Sequence, residues 1–139
     1  MKQRFRQLGH KSVLTDAQLA RPRTILETFD NPKPARDYEI RFTFAEFTSM
    51  CPVTGQPDFG IITISYVPHR KCVEMKSLKL YFFAYRNKGI FYEAAVNTIL
   101  DDLVTVLSPR RMTVTGNFAA RGGIGGVVSA SFQRRGRAS

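Results

Sequence analysis

The chain has 139 residues, 43% of them hydrophobic, and carries 21 Lys and Arg against 11 Asp and Glu for a formal charge of +10. That length suits one domain with a single core, and no apolar run approaches the ~20 residues that span a bilayer, so a membrane helix is excluded. Two cysteines are too few for a disulfide framework, and His10 and His69 fall into no paired ligand spacing with Cys51 or Cys72, so no metal is expected.

The N-terminal stretch MKQRFRQLGHKSV is basic but lacks the apolar segment of a secretory signal, which makes the cytoplasm the expected location. A charge of this size invites a nucleic-acid reading through counterion release. Its distribution argues otherwise: nine of the 21 Lys and Arg lie in the first 41 residues beside five acids, and Arg134, Arg135 and Arg137 crowd the last six. The ends read as solvated arms, and no stable nucleic-acid partner is expected.

Residues 1–37 show no sustained periodicity, and the two prolines of FDNPKPARD predict an extended, turn-punctuated arm. A single domain is expected over 38–133, followed by a basic tail over 134–139. Within the domain, YEIRFTFAEFTSM alternates Ile40, Phe42 and Phe44 against Arg41 and Thr43, a strand that ends just before Cys51. GIITISYVP repeats the alternation with Ile62, Ile64 and Tyr66. Ser77 then reads as the cap of a helix carrying Leu78, Tyr81, Phe82 and Tyr85 at helical spacing. A second helix is predicted from about Phe91 to Leu107, with Ala95, Ile99, Leu103, Val106 and Leu107 on one face and Pro109 beyond its end. MTVTGNF and VVSASF read as two further strands. The order is ββααββ, an α+β domain with a four-stranded antiparallel sheet and two helices on one face.

The stretch CPVTGQPDFG places an acid, Asp58, seven residues after the Cys51 thiol. Fully extended, that separation would be about 23 to 25 Å. Pro52, Gly55 and Pro57 forbid an extended connector, so the acid is expected to fold back toward the sulfur. A thiolate attacks electrophilic carbon well, and the new bond persists when charge developing on the neighbouring heteroatom is met by a proton. The bland alternative is a buried cysteine and a turn-forming aspartate.

The company of this loop is specific. FTSMCPVTGQPDF, VEMKSLKLYFFAYRNKG, IFYEAAVNTILDDL and FAARGGIGG, in that order from roughly Arg41 to Gly123, closely resemble the NADPH-dependent 7-cyano-7-deazaguanine reductases, the nitrile reductases of queuosine biosynthesis. Glu74, Lys76, Ser77, Lys79 and Tyr81 match the family's Glu-x-Lys-Ser-x-Lys-x-Tyr run. The resemblance implies a tunnelling fold like that of GTP cyclohydrolase I, with subunits joined into a barrel and sites where subunits meet. It implies that Cys51 attacks the nitrile carbon to form a covalent thioimide while Asp58 protonates the nitrogen. Two hydride transfers from NADPH then yield 7-aminomethyl-7-deazaguanine. Glu93 matches the acceptor of the guanine-like edge, Phe91 is placed to stack on the ring, and Glu74 joins substrate recognition. Tyr92 stands where the family often has histidine and offers a hydrogen bond without titrating near neutral pH. Met75 replaces a small or branched residue.

Lys76, Ser77, Lys79 and Arg121 resemble the family's cofactor contacts, with Gly122 letting the backbone approach the cofactor. GGIGGVV lacks the GxGxxG spacing and has no βαβ unit around it, so no Rossmann domain is expected. Two other classes compete with the reductase: a basic, aromatic-rich module for single-stranded nucleic acid, and a tunnelling-fold hydrolase acting on a purine or pterin.

Overall fold

The computed structural model describes residues 14–136. In chain order its elements are α1 (Asp16–Ala20), a 3-10 turn (Pro22–Ile25), β1 (Thr28–Asp30), β2 (Ile40–Met50), β3 (Pro57–Val67), β4 (Lys71–Val73), α2 (Met75–Phe83), α3 (Tyr92–Leu107), β5 (Arg111–Arg121) and β6 (Ile124–Gln133). The four long strands form one antiparallel sheet in the order β2-β3-β5-β6. α3 packs against β5 and β6, and α2 against β2. The expected ββααββ order is therefore present, with the small β1-β4 pair added beside it.

Strand alternation sorts the side chains. Ile62, Ile64 and Tyr66 of β3 and Met112, Val114 and Phe118 of β5 turn toward the helices, where Ala95, Val96, Ile99 and Leu103 of α3 meet them, all essentially buried. The opposite face is mixed: Phe59, Ile61 and Val127 are exposed toward one end, and toward the other the hydroxyls of Thr113 and Ser131 lie 2.8 Å apart and those of Thr115 and Ser129 3.1 Å apart, as cross-strand pairs. α3 ends on Ser108 in the left-handed conformation, φ 45°, and Pro109 prevents its continuation.

One irregularity in β2 decides where the site faces. Phe44 pairs with Ile62 but Phe47 pairs with Gly60, so three steps on β2 match two on β3. This bulge reverses the alternation. Ile40, Phe42 and Phe44 face the helices before it, and Phe47 and Ser49 do so after it, each only 1% exposed. The same alternation carried onward turns Cys51 toward the helix side.

Three expectations change. The helix expected to be capped by Ser77 begins at Met75, because both carboxylate oxygens of Glu74 accept first-turn amides, from Ser77 at 2.7 Å and Lys76 at 2.9 Å. Ser77 is instead buried in the first turn, where its hydroxyl receives the Glu27 amide at 3.0 Å. Asp58 lies on β3 rather than in the preceding connector. Finally, the stretch 14–37 is not simply extended: Thr15 forms a capping box with Gln18, and Ile25 is fully buried in the main core. β1 pairs there with β4, setting Phe29 opposite Cys72. These pieces are too short to show a period. Residues 1–13 and 137–139, which carry Arg137 and much of the basic arms, lie outside the described residues.

Candidate active site

The β2–β3 connector is a tight loop. The Cys51 amide donates to the Gln56 carbonyl at 2.8 Å, and the Gly55 amide to the Cys51 carbonyl at 2.9 Å. Gly55 takes φ 70°, which a side chain resists. This turn brings the Thr54 hydroxyl and the amides of Thr54 and Val53 onto the sulfur, and together they hold the Cys51 thiol below its ordinary range. Burial and the charge of Asp58 act in the opposite direction. Ser49 pairs with Asp58 across the strands, so the turn returns the acid to the same face as the thiol.

Residues between the two helices add a second wall. The Met50 amide donates to Lys88 O at 2.9 Å, the Ile90 amide donates to Met50 O at 3.0 Å, and Met50 forms a parallel bridge with Gly89. That short ladder ties the entry of α3 to the end of β2, placing Phe91, Tyr92 and Glu93 beside Cys51. Tyr92, the first residue of α3, stacks on Phe118 at 3.9 Å with the rings 6° from parallel. Phe118 in turn lies over Gly60 and Gly116; a Cβ at either glycine would come within 2.7 Å or 2.6 Å of its ring.

The result is an open cavity of about 420 Å³ lined by Cys51, Thr54, Asp58 and the first residues of α3, with Arg121 and Ile124 on the far wall. Arg121 forms an ion pair with Asp58 and also donates to the Pro57 carbonyl at 3.0 Å. The Tyr92 phenol donates to Asp58 as well, and burial together with that bond holds the phenol above its ordinary range. Asp58 is thus an acceptor here, its side chain 9% exposed. Glu93 faces the same space, its carbonyl accepting from Asn97 Nδ2 at 2.8 Å and its carboxylate without a hydrogen-bond or ion-pair partner among the described residues, and Phe91 is 53% exposed at the rim. The arrangement can activate a thiol, move a proton and present an aromatic face and a carboxylate to a planar, donor-bearing ring.

Six of the residues singled out from sequence therefore meet in one cavity: Cys51, Asp58, Phe91, Tyr92, Glu93 and Arg121. Glu74, Lys76, Ser77 and Lys79 do not line it; they lie at the start of α2. The Glu74 carboxylate is engaged as a helix cap and Ser77 in binding residue 27, whereas Lys76 and Lys79 have no carboxylate partner among the described residues. Lys79 is exposed, its ammonium 5.6 Å from the Phe83 ring. Lysines free of acids beside the positive end of a helix suit a phosphate-bearing cofactor. Gly122, at φ 58°, opens the β5–β6 turn next to Arg121, and no atom lies within 4 Å of where its Cβ would be. Sequence reasoning missed Thr54, for which a hydroxyl three residues after the thiol was the available signal, and Ile124. It also missed Ser49, whose buried hydroxyl has no partner among the described residues. No cluster of three or more His, Cys, Asp or Glu suited to a metal occurs among the described residues.

Residues 57–137 match the family model of QueF-like proteins. The NADPH-dependent 7-cyano-7-deazaguanine reductase of Thermomicrobium roseum is 58% identical over 113 residues, covering 81% of this chain and 88% of that protein. The protein of the same name from Chlorobium luteolum is 60% identical over 107 residues, covering 77% and 92%. Among solved structures, the apo crystal structure of the archaeosine synthase QueF-Like superposes with a TM-score of 0.63, covering 67% of this chain and 91% of that one. At 20% identity that likeness establishes the fold.

Proposed function

We propose a covalent mechanism that proceeds from one premise: the chain belongs to the NADPH-dependent 7-cyano-7-deazaguanine reductase family. Its reaction is the NADPH-dependent reduction of the nitrile of 7-cyano-7-deazaguanine to the aminomethyl group of 7-aminomethyl-7-deazaguanine, in the route to queuosine in tRNA. The observation that carries the mechanism is the shared cavity in which Cys51, Asp58, Tyr92 and Arg121 converge.

Cys51 attacks the nitrile carbon. A sulfur–carbon bond forms, one π bond of the triple bond breaks, and the thiol proton ends on nitrogen, so the adduct is a thioimide with no atom lost. Asp58, which shares the cavity with the sulfur, delivers the proton to that nitrogen. Phe91 stacks on the bicyclic ring and Glu93 accepts hydrogen bonds from its guanine-like edge; Tyr92 keeps the carboxylate oriented.

NADPH, when bound, supplies the two hydrides that nitrile reduction to an amine requires. Lys76 and Lys79 would hold its phosphates at the start of α2, with Ser77 and the Arg121–Gly122 turn as further contacts. In one chain these residues lie apart from the cavity, and long strands β2 and β6 leave two sheet edges. A homo-oligomer that closes the sheet into a barrel would bring one subunit's α2 to another's cavity and shield an imine from water. No described helix is long and apolar enough to cross a membrane, and a reaction drawing on NADPH suits the cytoplasm.

The test is purified protein with NADPH and the cyano-deazaguanine. Cofactor oxidation should accompany formation of the primary amine and vanish in Cys51→Ala. Absence of oxidation in the unmodified protein, or turnover that survives the substitution, would reject the mechanism.

A further inference from the structure

A thiolate at Cys51 would share its cavity with carboxylates. Cys51, Asp58 and Glu93 all face it, and among the described residues Arg121 is the only cation in its lining. Asp58 is the acid that matters most, because its side chain is only 9% exposed and its charge is poorly screened by solvent. Glu93 is exposed at the mouth, and the Tyr92 phenol donates to Asp58 but brings no charge.

We propose that Arg121 is a positioning residue that acts through Asp58, its guanidinium neutralising that carboxylate so that the Cys51 thiolate can form beside it. The geometry is specific. One Arg121 nitrogen bonds both the Asp58 carboxylate and the Pro57 carbonyl, so the cation is fixed to β3 at the acid. Arg121 reaches this point from the last position of β5, where the register with β6 is irregular and two positive-φ glycines follow. Without the guanidinium, a carboxylate and a thiolate would share one small space, and like charges so placed oppose each other's ionisation. Consistently, the forces that act on the thiol include an opposing push from Asp58.

This inference rests on Cys51 being the nucleophile, but its test needs neither substrate nor cofactor. The rate of Cys51 alkylation by iodoacetamide is followed against pH by peptide mass spectrometry, in the unmodified protein and in Arg121→Gln, Arg121→Lys, Asp58→Asn and the Asp58→Asn/Arg121→Gln double variant. Loss of Arg121 should move the alkylation profile up by about one pH unit, a roughly tenfold slower reaction near neutral pH. In the Asp58→Asn background the same substitution should slow it by no more than about twofold, and Arg121→Lys should stay within about threefold of the unmodified protein. An unchanged profile in Arg121→Gln, an equal slowing in both backgrounds, or a lysine variant as slow as the glutamine one would each overturn the proposal. Failure of the nitrile reaction with these alkylation results intact would instead sink the proposed function alone.

Discussion

At Cys51 the sulfur meets a hydroxyl and two amides from its own loop, with an acid on the neighbouring strand. At Cys72 it meets burial, 2% exposed, which pushes the thiol up. The two thiols should therefore separate chemically. As pH falls from 9, Cys51 keeps its thiolate until its lowered value is passed, whereas Cys72 has already lost its own. Limited iodoacetamide treatment at neutral pH should label Cys51 at least about tenfold faster, as peptide mapping would show; equal labelling would contradict the loop's role. Asp58→Asn should keep the hydrogen bond from Tyr92 while removing the proton donor. Nitrile binding is expected to stay within a few-fold, and single-turnover capture to slow by about 10²–10⁴. An asparagine variant that captures the nitrile at the original rate would remove Asp58 from the chemistry.

Among the elements, the start of α3 depends on a stack built from the sheet upward. Gly60 and Gly116 leave room for Phe118, and Phe118 supports Tyr92. Gly116→Ala would set a Cβ 2.6 Å from the Phe118 ring and 2.9 Å from Val96, so the ring must shift. The expected cost is about 1–3 kcal/mol in urea denaturation, with a loss of turnover because Tyr92 moves with the ring; an unaltered midpoint would refute the stack. The same elements show what the sequence makes visible. Alternation in GIITISYVP and the apolar face Ala95, Ile99 and Leu103 declare β3 and α3 locally. The bulge between Phe44 and Phe47 does not declare itself, since its effect is a register with a distant partner. Glu74 likewise caps α2 in preference to Ser77 because the Glu27 segment occupies the serine hydroxyl, a tertiary contact. For the site, Cys51 and Asp58 could be joined by reading the turn residues between them, whereas the Arg121–Asp58 pair links β5 to β3 and has no local signature.

For the whole molecule, a cavity whose rim residues Phe91 and Ile124 are 53% and 78% exposed is half an enclosure. Under the proposed assembly a neighbouring subunit supplies the other half. Turnover per chain should then fall on dilution in step with dissociation followed by sedimentation; dilute single chains at full activity would contradict the shared site. The +10 charge is explained only where Arg121 meets Asp58 and where lysines line the start of α2; nothing in the described residues accounts for the excess at the ends. The central claim is that Cys51 captures the nitrile covalently, and intact-protein mass spectrometry without NADPH tests it most directly. The protein should gain the full mass of 7-cyano-7-deazaguanine at Cys51, with no gain in Cys51→Ala and discharge when NADPH is added. An unmodified Cys51 at saturating nitrile, in protein that turns over with NADPH, would contradict it.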